Sequence, residues 1–192
     1  LIDHVSVTKT IKSIEQNNLN PILFSDVSVE PTDSSFKKAI KFAETNNIDG
    51  FVGVGGGSSM DTAKAANLYS TYPADFMTYV NAPIGKGAPV PGKLKPMIAI
   101  PTTTGTGSET TGTAVFDYVE MNAKTAIAHR ELRPLIGLID PENVRTIPPN
   151  VVACSGLDVL CHGLESYTAI PFHTRNKPET PGLRPSYQGS NP

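Results

Sequence analysis

Apolar residues along this chain come in two spacings, and the two alternate. Short runs such as FVGVGG at 51–56 and PMIAIP at 96–101 are apolar or small at nearly every position, the pattern of strands covered on both faces. Between them, DSSFKKAIKFAETNN places Phe36, Ile40 and Ala43 at helical spacing, with Asp33 or Ser34 as a natural N-cap. In chain order the pattern predicts a helix around Val7 to Gln16, a strand PILFSDV at 21–27, the helix from Asp33, a strand DGFVGVGG, and a helix SMDTAKAANLYSTY beginning near Ser59. A strand PMIAIP, a Thr-rich loop and three strands, TGTAVFDY, KTAIAH and LIGLID, complete the series. Such alternation implies an α/β fold, a mostly parallel sheet with helices on its faces.

The character changes after Asp140. PENVRTIPPN is a Pro-bearing connector, and from Val151 to about Thr168 the residues keep a helical period with no further strand. A domain boundary is therefore expected near residue 146, dividing an α/β domain at 1–145 from a helical beginning and Pro-rich tail at 146–192. The chain opens LIDHVSVTKT with no initiator Met and closes PETPGLRPSYQGSNP, so it reads as a piece of a longer protein.

Charge narrows the partners. Charged residues make up 18% of the 192 and nearly cancel, leaving −2, so there is no basic field for nucleic acid and no polybasic run for a membrane. The apolar runs are too short to span a bilayer. Small molecules remain as the default partners. The two cysteines, Cys154 and Cys161, stand seven positions apart, about 10 Å along a helix, too far to bridge. They read as reduced core residues.

Two loops carry candidate chemistry. FVGVGGGSSMDTAK joins a strand to a helix through Gly53, Gly55, Gly56, Gly57 and Ser58. Glycines let backbone approach a ligand closely, and the free amides at a helix start favour an anion such as a pyrophosphate. The spacing departs from GxGxxG at Ser58, which makes it a variant of the dinucleotide fingerprint. The second loop, PTTTGTGSETTG, offers Thr102, Thr103, Thr104, Thr106 and Ser108, and loops leaving the carboxyl ends of parallel strands face one crevice. Asp61 and Lys64 read as a surface i,i+3 pair, with no role assigned to Lys64 and that of Asp61 left open.

In SGLDVLCHGLES, Asp158 and His162 are four apart on a helix, offset by about 40°, and can share one cation. Carboxylate with imidazole suits Fe(II), Zn or Mn rather than Ca. By spacing alone the same pair also reads as an i,i+4 ion pair. His4, His129 and His173 lie elsewhere and read as solvated or incidental, so further ligands are expected beyond Pro192.

Taken together, GVGGGSSMDTAK, PTTTGTGSE and GLIDPENVRTIPPNVVACSGLDVLCHGLESY resemble the iron-containing (group III) alcohol dehydrogenase family. VEPTDSSF, DFMTYVNAPIGKGAPV, GSETTGTAVFDY and YQGSNP resemble one mitochondrial branch of it, over about residues 28–170. The resemblance implies a dinucleotide-binding α/β domain whose first strand precedes Leu1, followed by an all-helical domain, with a divalent metal, Fe or Zn, held by one Asp and three His. Asp158 and His162 match the first two ligands. Gly55, Gly56, Gly57 and Ser58 match the pyrophosphate loop, Thr102, Thr103 and Thr106 the nucleotide-contacting loop, and Lys124 a cofactor-contacting lysine; the acidic ribose ligand would precede Leu1, and Asp26 does not replace it. The implied activity is an oxidoreductase reaction passing hydride from 4-hydroxybutyrate to 2-oxoglutarate through a tightly held NAD(H), giving succinate semialdehyde and 2-hydroxyglutarate. Whether Arg130 or Arg133 meets the substrate carboxylates is open, and homo-oligomerisation is compatible with the resemblance. Three alternatives stand beside it: an NAD-dependent alcohol dehydrogenase exchanging its cofactor each turnover, a lyase on the same scaffold, and a catalytically incomplete remnant.

Overall fold

The computed structural model describes residues 4–179, and the closing YQGSNP motif lies outside them. Helix α1 (Val5–Gln16) starts at His4, whose Nδ1 accepts the Ser6 amide at 3.3 Å. Helix α2 (Asp33–Thr45) opens on a capping box in which Thr32 and Ser35 satisfy each other's amides. An Asp33–Lys37 pair at 2.7 Å adds i,i+4 support. Its Phe36, Ala39, Ile40 and Ala43 form the one face that is buried.

Strand β1 (Phe51–Gly55) runs into helix α3 (Gly57–Thr71), and strand β2 (Met97–Pro101) pairs parallel to β1 with Phe51 opposite Met97 and Gly55 opposite Pro101. The predicted strand LIGLID contributes a ladder only at β5 (Ile136–Gly137), parallel to β2, so the order is β1-β2-β5. TGTAVFDY and KTAIAH form β3 (Thr113–Tyr118) and β4 (Ala123–Ala128), an antiparallel hairpin separate from the parallel sheet. The reason is local: Val119–Met121 makes one 3-10 turn and Asn122 takes a left-handed φ of 49°, too short a connection for a parallel crossover.

The predicted strand at 21–27 does not form. A strand needs a partner for its amides, and none lies beside this segment among the described residues; it is held instead by side chains, Phe24 resting 5.2 Å from Phe42 and packing on Ala39 and Ala43. Asp26 is exposed, 3.1 Å from Lys38.

The core lies where α2 and α3 meet the hairpin. Phe116 of β3 packs its ring against Phe36 at 5.3 Å and edge-on to Phe76 at 5.4 Å, and Tyr69 continues the stack to Phe76 and Tyr79. The Tyr69 hydroxyl donates to the Phe76 carbonyl, and burial pushes its pKa upward. α3 is buried around most of its circumference, from Met60 through Leu68 and Tyr69. Helix α4 (Pro149–Thr168) contrasts with it and contains no buried residue. The cysteines expected in the core are both exposed on α4, because that helix has no packed partner over them among the described residues.

Phe116→Ala is expected to lower stability by about 3–5 kcal/mol, the range for emptying an aromatic site in a packed core. Denaturant unfolding with an unchanged slope would check it; a loss under about 1 kcal/mol would mean the three rings are not packed as described.

Candidate dinucleotide and metal site

The site is built at the carboxyl ends of β1 and β2. Their exits are tied at the root, where the Thr102 amide donates to the Gly55 carbonyl at 2.9 Å. Gly55 has φ +145°, a conformation side chains rarely adopt, and this turns the chain into α3 two residues before the expected start. Gly56 caps α3 without any side-chain hydrogen bond, and while the Ser59 amide donates to the Gly56 carbonyl at 3.1 Å, the Gly57 and Ser58 amides are left for something else to satisfy. The threonine loop lies directly over these glycines. A Cβ on Gly56 would meet Thr103 Oγ1 at 3.3 Å, and one on Gly57 would meet Thr106 Cγ2 at 3.0 Å.

What holds the second loop is a pair that the sequence suggested was on the surface. The Lys64 side chain is fully buried. Its ammonium donates to Asp61 Oδ1 at 3.2 Å, Ser108 Oγ at 2.7 Å, Thr111 Oγ1 at 3.3 Å and the Thr113 carbonyl at 2.8 Å. Asp61 also accepts the Ser108 hydroxyl and, through Oδ2, the Val115 amide at 2.9 Å. Removal from water pulls the Lys64 pKa below the ordinary lysine value, while the Asp61 carboxylate opposes that shift. The surface expectation failed because α3 has no solvent side at this turn: Ala65 and Ala66 beside Lys64 are buried too. That run of small neighbours was the available signal.

A cavity of about 580 Å³ opens over this network, lined among others by Gly57, Ser58, Thr106, Lys124, Asp158 and His162. Gly55, Gly56, Thr102 and Thr103 do not line it. Asp158 Oδ2 and His162 Nε2 are 3.6 Å apart, both half exposed, and Glu165 Oε2 is 4.0 Å from His162 Nδ1. No three His, Cys, Asp or Glu side chains are grouped to hold a metal among the described residues. Asp158 and His162 both line the cavity and could supply two of the three or four protein ligands that a catalytic metal centre needs. Lys124 is exposed at the rim, 3.8 Å from Glu30 Oε1 and 3.6 Å from Asp117 Oδ1. Glu30, unremarked in the sequence, also lines the cavity and has a left-handed φ of 54°.

Arg130 and Arg133 do not line this cavity; Arg133 Nε donates to the Thr110 carbonyl at 2.7 Å and so braces the loop from outside. His129 Nδ1 accepts the Glu131 amide at 3.2 Å, and partial burial lowers its pKa. The histidines at 4 and 129 thus serve as caps. Among the described residues no helix is long and apolar enough to cross a membrane.

Lys64→Met is expected to destabilise the fold by about 3–5 kcal/mol, because it leaves the Asp61 carboxylate buried without its cation. Equilibrium unfolding measures it; a loss under about 1 kcal/mol is what an exposed pair would give.

Comparison with known proteins agrees with this architecture. The chain is 57% identical over 194 residues to the mitochondrial hydroxyacid-oxoacid transhydrogenase of Xenopus tropicalis, a match covering 100% of this chain and 42% of the relative, so it spans well under half the relative's length. Among solved structures, an iron-containing alcohol dehydrogenase from Thermococcus thioreducens superposes with TM-score 0.78 at 32% identity, over 86% of this chain and 44% of that one. Sulfoacetaldehyde reductase from Bifidobacterium kashiwanohense, solved in complex with NAD+, does so with TM-score 0.72 at 28% identity, over 84% and 44%. The family model for iron-containing alcohol dehydrogenase matches residues 2–141, and the chain belongs to that family.

Proposed function

We propose that the whole protein is a mitochondrial hydroxyacid-oxoacid transhydrogenase, passing hydride from 4-hydroxybutyrate to 2-oxoglutarate. The observation that carries the reading is the meeting of two half-sites in one cavity: the Asp158 and His162 pair, 3.6 Å apart, faces the space that Gly57, Ser58 and Thr106 also line. Neither half alone is specific. Together they pair a carboxylate–imidazole donor set with an uncapped helix start, the combination metal-assisted hydride chemistry needs. The 57% identity to a transhydrogenase supports the choice of branch.

In this reading residues 1–145 form the dinucleotide domain and 146–192 begin a helical, metal-binding domain. The amides of Gly57 and Ser58 hold the pyrophosphate, with Gly55 and Gly56 setting the turn. Thr102, Thr103 and Thr106 shape the nucleotide's polar edge, and Lys124 reaches it from the rim. Asp158 and His162 supply two ligands to a divalent metal, Fe or Zn, with the others coming from the rest of the protein. When bound, the metal acts as a Lewis acid on the substrate oxygen and NAD(H) carries the hydride. The half-exposed setting of Asp158 and His162 leaves their donor atoms accessible to a cation.

The decisive test uses 4-hydroxybutyrate deuterated at C4, with 2-oxoglutarate and the protein at the full length of its relatives. Deuterium is expected at C2 of 2-hydroxyglutarate without added NAD. Label transfer only after NAD is supplied would make the protein an alcohol dehydrogenase with free cofactor exchange. Asp158→Asn and His162→Ala should each strip the bound metal and reduce transfer by at least about 100-fold, as loss of an essential centre does; unchanged metal content by elemental analysis would remove both residues from the ligand set. Gly57→Val should weaken NADH binding by at least about tenfold in a fluorescence titration, since its side chain displaces Thr106 from the glycine turn.

A further inference from the structure

Resting on that reading, we propose that Gly105 and Ser155 are positioning residues: their contact seats the metal-bearing helix on the nucleotide loop and so sets the distance across which hydride moves. Helix α4 has no buried residue, and a Cβ placed on Gly156 would meet nothing within 4 Å. Its seat on the α/β layer is therefore narrow. At Gly105 the approach is tight. A Cβ there would lie 2.9 Å from Ser155 Cβ, 3.0 Å from the Ser155 carbonyl oxygen and 3.2 Å from its Cα. The neighbouring Thr104 and Ser155 hydroxyls stand 3.4 Å apart across the same junction.

Gly105 is not required for its backbone angle, because its φ lies outside the left-handed region. It is required for closeness. Ser155 lies three residues before Asp158 and seven before His162, so it shares their face of the helix. Any bulk added at the junction pushes the helix outward and moves the carboxylate and imidazole away from Thr106 and the glycine turn. Ligand chemistry and the dinucleotide cradle would both survive such a shift. Alignment between them would not, and a misplacement of about 1 Å suffices to lower a reaction rate by about 100-fold.

The test is a set of variants in the full-length protein, each read for bound metal, NADH affinity, kcat and KM. Gly105→Ala, which adds bulk from the loop side, and Ser155→Val, which adds it from the helix side, should each lower kcat by at least about tenfold while metal content and NADH affinity stay within about twofold. Adding Ser155→Gly to Gly105→Ala removes the 2.9 Å contact but leaves the residue 155 carbonyl oxygen at 3.0 Å and Cα at 3.2 Å, so it should recover part of the loss. Undiminished kcat in both single variants would overturn the proposal, as would a double variant no better than Gly105→Ala. Loss of NADH affinity in Gly105→Ala as large as in Gly57→Val would place Gly105 in the cradle instead. Should Gly105→Ala fail to fold, Ser155→Val decides alone. A wild-type protein without metal or label transfer refutes the functional reading itself, before any variant is compared.

Discussion

The buried ammonium of Lys64 is the constraint around which the site is organised. A charge taken out of water demands partners, and Lys64 finds a carboxylate, two hydroxyls and a carbonyl, drawn from α3, the threonine loop and the start of β3. Asp61 needs the same groups, accepting Ser108 and the Val115 amide as well. Neither charge tolerates separation from the other. The loop that lies over the glycine turn is therefore not a flexible connector: its far end is fixed to the helix that begins at that turn.

The near end is fixed differently, by the Thr102 amide on the Gly55 carbonyl and by side-chain packing of Thr103 and Thr106 over Gly56 and Gly57. Between these anchors the loop presents Gly105 to α4. Small residues recur at each place where two segments must come close, and the geometry gives each a separate reason. Gly55 is there for a backbone angle and Gly56 and Gly57 for the threonines above them, whereas Gly105 makes room for a helix. The loop, tied at both ends, offers α4 a narrow seat, so the placement of Asp158 and His162 over the cavity depends on few contacts.

Most of the fold could be read along the chain. Helices α1 to α4 and strands β1 to β4 stand close to where the sequence pattern put them, and α2, with one apolar face and a capping box, carries the clearest local signal. The failures share a cause. The segment at 21–27 has strand-like residues but no ladder partner beside it among the described residues, and LIGLID pairs over two residues only. Pairing is a property of neighbours, and a single run of residues does not reveal its neighbours. The hairpin of β3 and β4 was legible as two strands, but not as a sheet apart from the parallel one.

The candidate site divides along the same line. The glycine and threonine loops and the Asp158 and His162 spacing are local patterns, and local patterns suffice to suggest which chemistry a chain carries. Burial is not local. Lys64 looks like any helix-surface lysine until the hairpin and the loop close around it, and Cys154 and Cys161 look like core residues until α4 is found without cover over them among the described residues. The sequence by itself thus determined most of the elements, the family and the residue types available to the site. Only the tertiary structure decided which of them meet in one cavity and which charge is held out of water, because both depend on segments far apart in the chain being brought together.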